Sequence, residues 1–449
     1  MYPIRLGAVE DFEIARELLV RTNFTDRLFV DGSYVDEATL QQHLSLPEIA
    51  ALERLGLIVR EQGKAWSPVQ VHAVDGVYTV FDRWRTPEGK QLEGREDIVY
   101  PSIVANTRLF LDLLPDSPCD SLLDLCSGTG VAALIAASKY AAAAYAYDIA
   151  PRSTHFAEFA KRLNGLSNVT TGTGDLYEPA DGVTFDRVVA HPPYVPVLES
   201  KWIFFDGGED GERVTRRIVE GLPRYLRPGG TLYCLAMASD RADQPLESRI
   251  REWLGAEHRE FDIALVVRRV LEPQEFAVST GGDAKKWKEV FEARRITALP
   301  YAMMMVQRKA TGRPPFTVRR QSGPQTTRAE HEWLLDWETR VAADANAILE
   351  QRPSASPGCD LRVLNRITGG DWEPVEYLLW VDQPFRMEMK IDPWIAYLLT
   401  RCDGTKTVSQ LFDELKTDGV ILAGTPLADF AQVVNTLASG GFLRLPAAE

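Results

Sequence analysis

Three places in this sequence carry side chains that could do chemistry, and each directly follows a short apolar stretch: Asp148, Asp175 and the run His191-Pro192-Pro193-Tyr194. A carboxylate at the end of a sheet strand can accept hydrogen bonds from both hydroxyls of a ribose, which is the role open to Asp148. Asp175, within Gly174-Asp175-Leu176, can accept from an exocyclic amino group such as that of an adenine. Taken singly, either aspartate reads more simply as a helix cap or turn residue; three strand ends in succession, each carrying such a group, favour the binding role. In His-Pro-Pro-Tyr, two consecutive prolines fix φ and remove two N–H donors, which leaves carbonyl oxygens free to face a cleft. Tyr194 can stack on a flat group or flank a reacting atom. The plain alternatives are a rigid loop or a polyproline ligand for another protein; a position immediately after a strand argues against both.

The elements that must position these groups start at Ser121-Leu122-Leu123-Asp124-Leu125-Cys126-Ser127-Gly128-Thr129-Gly130, followed by the alanine-rich run 131–137. An apolar run, two glycines one residue apart and a helix-forming stretch read as strand, tight turn and helix. Glycine lets the backbone approach a ligand closely, and the helix that follows begins with unpaired N–H groups. A lone Gly-x-Gly is equally the first turn of any α/β sheet, so the later strand ends decide. Strands are predicted at 144–148, 169–172, 185–190, 231–236, 261–270 and 301–307, with helices over 106–114, 152–165 and 213–226. Such alternation predicts a largely parallel sheet with helices on both faces and ligands at the carboxyl ends of its strands.

On either side the pattern changes. Helical spacing over 11–21 and 44–55 is followed by short strands at 57–60 and 69–72 around residues 61–64, which suggests a winged-helix-like unit over 1–75. Asp75-Gly76 predicts a hairpin into a strand at 77–81, and a polar loop over 82–100 leads to the core, so that 76–105 is a hairpin and connecting loop. The core domain is expected over 106–310. A helical region over 311–358 ends in the linker Pro353-Ser354-Ala355-Ser356-Pro357-Gly358. A small α+β domain is expected over 359–449, with paired strands at 377–381 and 385–389 and helices at 393–401, 408–416 and 429–440.

At 449 residues the chain is long enough for two or three domains with cores of their own. No apolar run approaches the length of a membrane helix and the first residues lack the apolar core of a signal peptide, so the expected location is the cytoplasm, with no membrane partner. The five cysteines are odd in number and never in Cys-x-x-Cys spacing, which predicts neither a disulfide framework nor a structural zinc site. Net charge is −14 and no segment is basic overall, which disfavours nucleic acid as a partner without excluding a local patch such as Arg213, Arg216, Arg217, Arg224 and Arg227. A solvated helix face is the simpler reading of those arginines.

The series Leu123-Asp124-Leu125-Cys126-Ser127-Gly128-Thr129-Gly130, then Asp148, Gly174-Asp175 and His191-Pro192-Pro193-Tyr194, resembles the class I S-adenosylmethionine-dependent methyltransferases. It is most similar to the HemK-like or methyltransferase small domain branch, whose signature is Asn-Pro-Pro-Tyr. The segments 206–211 and 226–230 fit that branch too, and the resemblance covers roughly residues 100–310. It implies a Rossmann-like, seven-stranded core and S-adenosylmethionine as cofactor. Gly128 and Gly130, with Cys126 between them and the strand, would admit the methionine part, and Asp124 would position that turn. Asp148 with Ile149 would hold the ribose side, and Asp175 with Leu176 the adenine side. His191, Pro192 and Tyr194 would present the acceptor to the methyl group, with His191 bordering the cofactor as well; no metal is needed. Cys126 stands where the branch most often has glycine, and His191 where it has asparagine, so His191 is either a base or an orienting acceptor. Residues 401–408 and 441–443 resemble the peptide-binding domain of the PqqD type.

The expected function is direct methyl transfer to an acceptor nitrogen. A protein or peptide acceptor suits the acidic chain and the PqqD-like tail, a nucleic-acid base suits the Pro-Pro-Tyr run and the winged-helix-like start, and a small-molecule nitrogen or oxygen acceptor would suit His191. A non-catalytic cofactor-binding scaffold is the alternative from another class, and the intact strand-end groups argue against it. An NAD-dependent dehydrogenase is disfavoured by Ala133, where that fingerprint wants its third glycine, together with the His-Pro-Pro-Tyr segment.

Overall fold

In this computed structural model the residues described are 3–445, apart from 22, 92–94, 181, 200–201 and 281–282. The chain divides into two compact units, Met1–His258 with Leu271–Arg308, and Arg259–Val270 with Lys309–Glu449. Near-continuous apolar runs build the sheet of the first unit, as expected of parallel strands covered on both faces. Its strands are β1 (Cys119–Leu125), β2 (Ala141–Asp148), β3 (Val169–Thr173), β4 (Phe185–Ala190), β5 (Leu226–Met237) and β6 (Ile296–Arg308). Leu122, Leu123, Leu125, Val188, Val189, Leu232 and Leu235 are all fully buried. The spatial order is β3-β2-β1-β4-β5-β6. The first five run parallel and β6 runs antiparallel beside β5. Helices α1 (Ala105–Leu113), α2 (Val131–Lys139), α3 (Pro151–Asn164) and α4 (Arg213–Tyr225) belong to the same unit. The strand Phe261–Leu271, expected as part of this core, is counted up to Val270 with the second unit.

Strand order reverses at β1, whose neighbours are β2 and β4, and a reversal of this kind opens a crevice at the carboxyl ends. Register then decides what lines it. Leu125 lies opposite both Tyr147 and Ala190, and Asp148 lies opposite Thr173. The next residues along, Cys126, Asp148 and His191, therefore come out side by side at one edge, with Asp175 just beyond. At the usual strand spacing, Asp148 and His191 are about 10 Å apart.

Ahead of the core, helices Val9–Leu19, Phe24–Phe29, Glu37–His43 and Leu46–Leu55 accompany a three-stranded sheet, one strand of which, Val35–Asp36, falls between the second and third helices. The strand pairing predicted between 57–60 and 69–72 is not what forms. Val59–Glu61 pairs with Lys64–Trp66, which also pairs with Val35–Asp36, while Val69–Val74 pairs with Val77–Asp82. The reason is turn chemistry: Gln62 and Gly63, and again Asp75 and Gly76, have positive φ at both positions, so each closes a two-residue hairpin.

The stretch 82–100, predicted to be loop, has residues 92–94 outside those described. Its far end is tied down: the Val99 N–H donates to Asp82 Oδ2 at 2.9 Å, and Ser102 Oγ lies 2.7 Å from Thr79 Oγ1. Asp82 is itself held by Arg152 of α3, whose Nε donates to Oδ2 at 2.9 Å, and both side chains are buried. Asp82→Asn keeps the shape but loses the charge opposite a buried guanidinium, so we expect it to destabilise the protein by about 2 kcal/mol in denaturant unfolding, with no change in the slope m.

The second unit has a sheet in the order Asp360–Thr368, Asp371–Val381, Phe385–Ile391, Thr317–Ser322, Phe261–Leu271. Helices Pro393–Arg401, Val408–Thr417 and Leu427–Ser439 fall where helical spacing placed them. They share a core that includes Leu398, Leu411, Phe430, Leu437 and Phe442. The hairpin partner Asp360–Thr368 escaped the sequence reading because every residue in it is exposed and its pattern has no buried face. Residues 354–355, read as linker, pair instead with Leu443–Arg444.

Candidate active site

The turn after β1 is built from left-handed backbone. Cys126, Gly128 and Gly130 have φ of 58°, 53° and 73°. A Cβ on Gly128 would meet no atom within 4 Å, so the turn faces open space. Ser127 Oγ, buried in the same turn, has no hydrogen-bond partner among the described residues. Left-handed φ is why glycine suits these positions, and it gives Cys126 a conformational cost that side-chain size alone does not reveal. Burial pushes the Cys126 thiol well above its usual range, so it stays protonated.

Beneath the turn, Asp124 Oδ2 accepts from the Ala133 N–H of α2 at 3.3 Å, linking strand end to helix start. Burial pushes this carboxyl up to about 8; the Ala133 bond pulls against it, and the charge of Asp148 adds to the rise. Asp148 uses both oxygens: Oδ2 accepts from the Gly128 N–H at 2.8 Å and Oδ1 from the Ala150 N–H at 2.9 Å. Its carboxyl is also raised by burial, with those two bonds and Ser153 opposing the shift. Ile149, next along, is 58% exposed, an apolar side chain left facing outward at the strand end. Asp175 sits past β3, beside Leu176 with its φ of 54°, and its Oδ2 accepts from Arg217 of α4 at 2.8 Å. Arg217 is one of the arginines read as a solvated face. Of the others, Arg213 pairs with Asp206, Arg216 with Glu220 and Arg227 with Asp186, while Arg224 lies over the Tyr225 ring.

His191 is the first residue past β4. Its ring stacks on Phe110 of α1, with centroids 5.2 Å apart and planes 18° apart, and lies 5.5 Å from the Tyr194 ring. Nε2 is buried and has no hydrogen-bond partner among the described residues. Burial pulls the imidazole down to about 4, so it is neutral at physiological pH. Tyr194 Oη accepts from Asn106 Nδ2 at 3.2 Å, and burial raises its phenol. The segment 206–211 runs along this loop: the Gly207 N–H donates to the Val195 carbonyl at 3.0 Å, and the Val197 N–H to the Gly208 carbonyl at 2.9 Å. A Cβ on Gly211, where φ is 77°, would come within 2.5 Å of the Tyr194 carbonyl oxygen, so only glycine admits this approach. Beside the loop a cavity of about 350 Å³ is lined by Val197, Leu198, Glu199, Asp206, Glu209 and Arg213, among others. Arg213–Asp206 and Arg294–Glu209 pairs neutralise part of its charge.

The strand ends thus bring Asp124, Cys126, Gly128, Gly130, Asp148, Asp175 and His191-Pro192-Pro193-Tyr194 to one edge. Phe110, Asn106, Ser127 and Arg217 were missed in the sequence. Asn106 and Phe110 are four apart, hence on one face of α1, a signal that was readable once a helix was placed there.

Comparison with known proteins agrees with this arrangement. Residues 102–263 match the methyltransferase small domain family. A Methanocaldococcus jannaschii protein, provisionally named a protein N5-glutamine methyltransferase, is 31% identical over 154 residues, which is 33% of this chain and 76% of that protein. A ribosomal protein uL3 glutamine methyltransferase from Bradyrhizobium diazoefficiens is 32% identical over 32% of this chain and 49% of its own length. A release factor glutamine methyltransferase from Moorella thermoacetica is 36% identical over 28% of this chain and 48% of its own. The chain thus spans about half the length of the two bacterial relatives and three quarters of the archaeal one. Parallel strands that end in a left-handed glycine turn, two carboxylates and a His-Pro-Pro-Tyr loop accompany these matches, and the chain belongs to the S-adenosylmethionine-dependent methyltransferases of the HemK-like, methyltransferase small domain branch.

Proposed function

We propose that this enzyme methylates a carboxamide nitrogen on a protein or peptide, a glutamine side chain being the acceptor that its named relatives favour. The observation that carries the reading is His191 Nε2: a buried nitrogen of a neutral ring with no partner, at the strand end next to the glycine turn. In the tautomer that leaves Nε2 unprotonated it is an acceptor, and an acceptor kept dry there calls for an N–H donor.

The open space above Gly128, the unpartnered Ser127 Oγ and outward-facing Ile149 fit S-adenosylmethionine, with Asp148 and Ile149 on its ribose side and Asp175 and Leu176 on its adenine side. Bound there, the cofactor supplies an electrophilic methyl carbon on a sulfonium. The chain's own residues do the positioning. His191 takes one amide hydrogen in a hydrogen bond and so turns the nitrogen. Phe110 fixes the imidazole plane, and Asn106 fixes Tyr194. A ring with a pKa of about 4 orients the amide rather than abstracting its proton. The winged-helix-like region 1–75 ahead of the core and the PqqD-like region 359–449 would serve as acceptor-binding modules.

Label from methyl-labelled S-adenosylmethionine, incubated with the enzyme and cell extract, is expected in protein and to leave as methylamine on alkaline hydrolysis. Label confined to nucleic acid or to small molecules overturns the reading.

Asp124 adds a pH dependence. The cofactor is a cation and favours the ionised carboxyl, so binding should lower the Asp124 pKa and release protons near pH 7. Affinity should then rise with pH and level off above about 8. Calorimetry in buffers of different ionisation heat measures the proton count. Release that persists unchanged in Asp124→Asn assigns it elsewhere.

A further inference from the structure

A row of aromatic rings lies beside the acceptor loop and includes none of the strand-end groups described above. Trp84 meets Tyr100 edge-on at 6.3 Å, Tyr100 stacks on Phe204 at 4.8 Å, and Phe204 stacks on Trp202 at 6.1 Å. Tyr100 is 41% exposed and Trp202 is 40% exposed, and the aliphatic neighbours Ile103 and Ile203 are exposed to a similar degree. Clustered exposed aromatic and aliphatic side chains of this kind are a candidate interaction site.

Its place in the fold says which one. α1, which starts five residues after Tyr100, carries both Asn106 and Phe110, and residues 202–204 lead into the segment 206–211 that bonds to the loop after Tyr194. The two segments of the row are joined by the Ile203 N–H, which donates to the Glu96 carbonyl at 3.4 Å. The base of the row is rigid, because Val99 and Ser102, on either side of Tyr100, are anchored to Asp82 and Thr79. A pre-organised wall of flat faces, continuous with the loop that holds the acceptor, binds whatever flanks the acceptor atom.

We propose that the Trp84–Tyr100–Phe204–Trp202 row docks an aromatic or large aliphatic side chain next to the methylated residue of the acceptor peptide. The inference rests on the protein-acceptor reading above. The exposed Ile103 and Ile203, close in sequence to Tyr100, Trp202 and Phe204, and the chain's net charge of −14 fit an apolar peptide side chain better than a nucleobase on a phosphate backbone.

The test uses the full-length protein and seven-residue peptides with a central glutamine, carrying Trp, Leu or Asp at each flanking position in turn. Binding is read by fluorescence anisotropy and methyl transfer by label. At one flanking position, Trp and Leu peptides should bind at least tenfold more tightly than the Asp peptide. Trp202→Ala should erase the difference, and Trp202→Phe, which keeps a flat ring, should retain it and guards against misfolding of the alanine variant. Equal binding of all peptides, a preference unchanged in Trp202→Ala, or tighter binding of single-stranded oligonucleotides of matched length overturns the proposal. If the flank preference holds while no glutamine is methylated, the wall stands and the glutamine acceptor falls. If glutamine is methylated without preference, the reverse is true.

Discussion

Asp148→Asn is expected to weaken S-adenosylmethionine binding by two to three orders of magnitude, with the protein still folded. The reason lies in how the carboxylate is used. Its two oxygens accept from the Gly128 and Ala150 N–H groups, and the lone pairs left over are those available to a ribose. Asparagine supplies one oxygen and one NH2, so a donor must face one of the two backbone donors. Either the glycine turn loses its tie to β2 or the Ala150 N–H, just ahead of α3, loses its partner. Loss of charge removes a further contribution, because hydrogen bonds to a carboxylate are worth roughly 1.5–3 kcal/mol each, against about 1 for neutral pairs. Titration calorimetry with S-adenosylmethionine gives the affinity, and thermal unfolding without cofactor gives the stability. Near-normal affinity in Asp148→Asn would move the ribose elsewhere.

How far the site could be read before the fold was seen differs from residue to residue, for physical reasons. Asp148 and His191 were legible because each ends an apolar run, and parallel register does the rest: once β1 lies between β2 and β4, equal strand ends must meet. Cys126 was legible as a member of the turn, but its left-handed φ was not, since that depends on how the chain leaves β1. The Arg217 contact to Asp175 depends on how α4 lies across the sheet, and helical charge pattern alone offers a solvated face as a complete account. Between residues 57 and 82 the Asp75-Gly76 hairpin into 77–82 was legible, but the short strand Lys64–Trp66 was missed and 57–60 was given the wrong partner, because Gln62-Gly63 is a weaker turn signal than Asp75-Gly76 and only positive φ at both positions shows it to be a hairpin. The exposed strand Asp360–Thr368 has no burial periodicity for a sequence reading to detect.

Substitutions of His191 separate orientation from proton abstraction. If its imidazole orients the acceptor, His191→Asn should retain activity within about tenfold, because an amide oxygen in the same place also accepts an N–H, whereas His191→Ala should lower kcat/KM by roughly two to three orders of magnitude, the usual loss when one positioned hydrogen-bonding group is removed from a dry site. The pH dependence carries the sign. Burial pulls His191 down to about 4 from an ordinary value of 6.5, so the neutral ring persists through the whole neutral range and the parent enzyme should show no limb near 6.5 from this group. At saturating cofactor, so that the Asp124 effect on affinity drops out, the loss due to His191 should come only as pH drops through about 4, when protonation turns the acceptor nitrogen into a donor, and His191→Asn should lack that acid limb. The same depressed pKa makes folding less favourable at low pH. The unfolded chain takes up the proton near 6.5 and the folded chain only near 4, so stability is complete above 6.5 and declines between the two values. Rates must therefore be measured on enzyme shown to be folded at each pH. A limb near 6.5 that is present in the parent and absent from His191→Asn would make His191 a base, with a nucleophile more acidic than an amide.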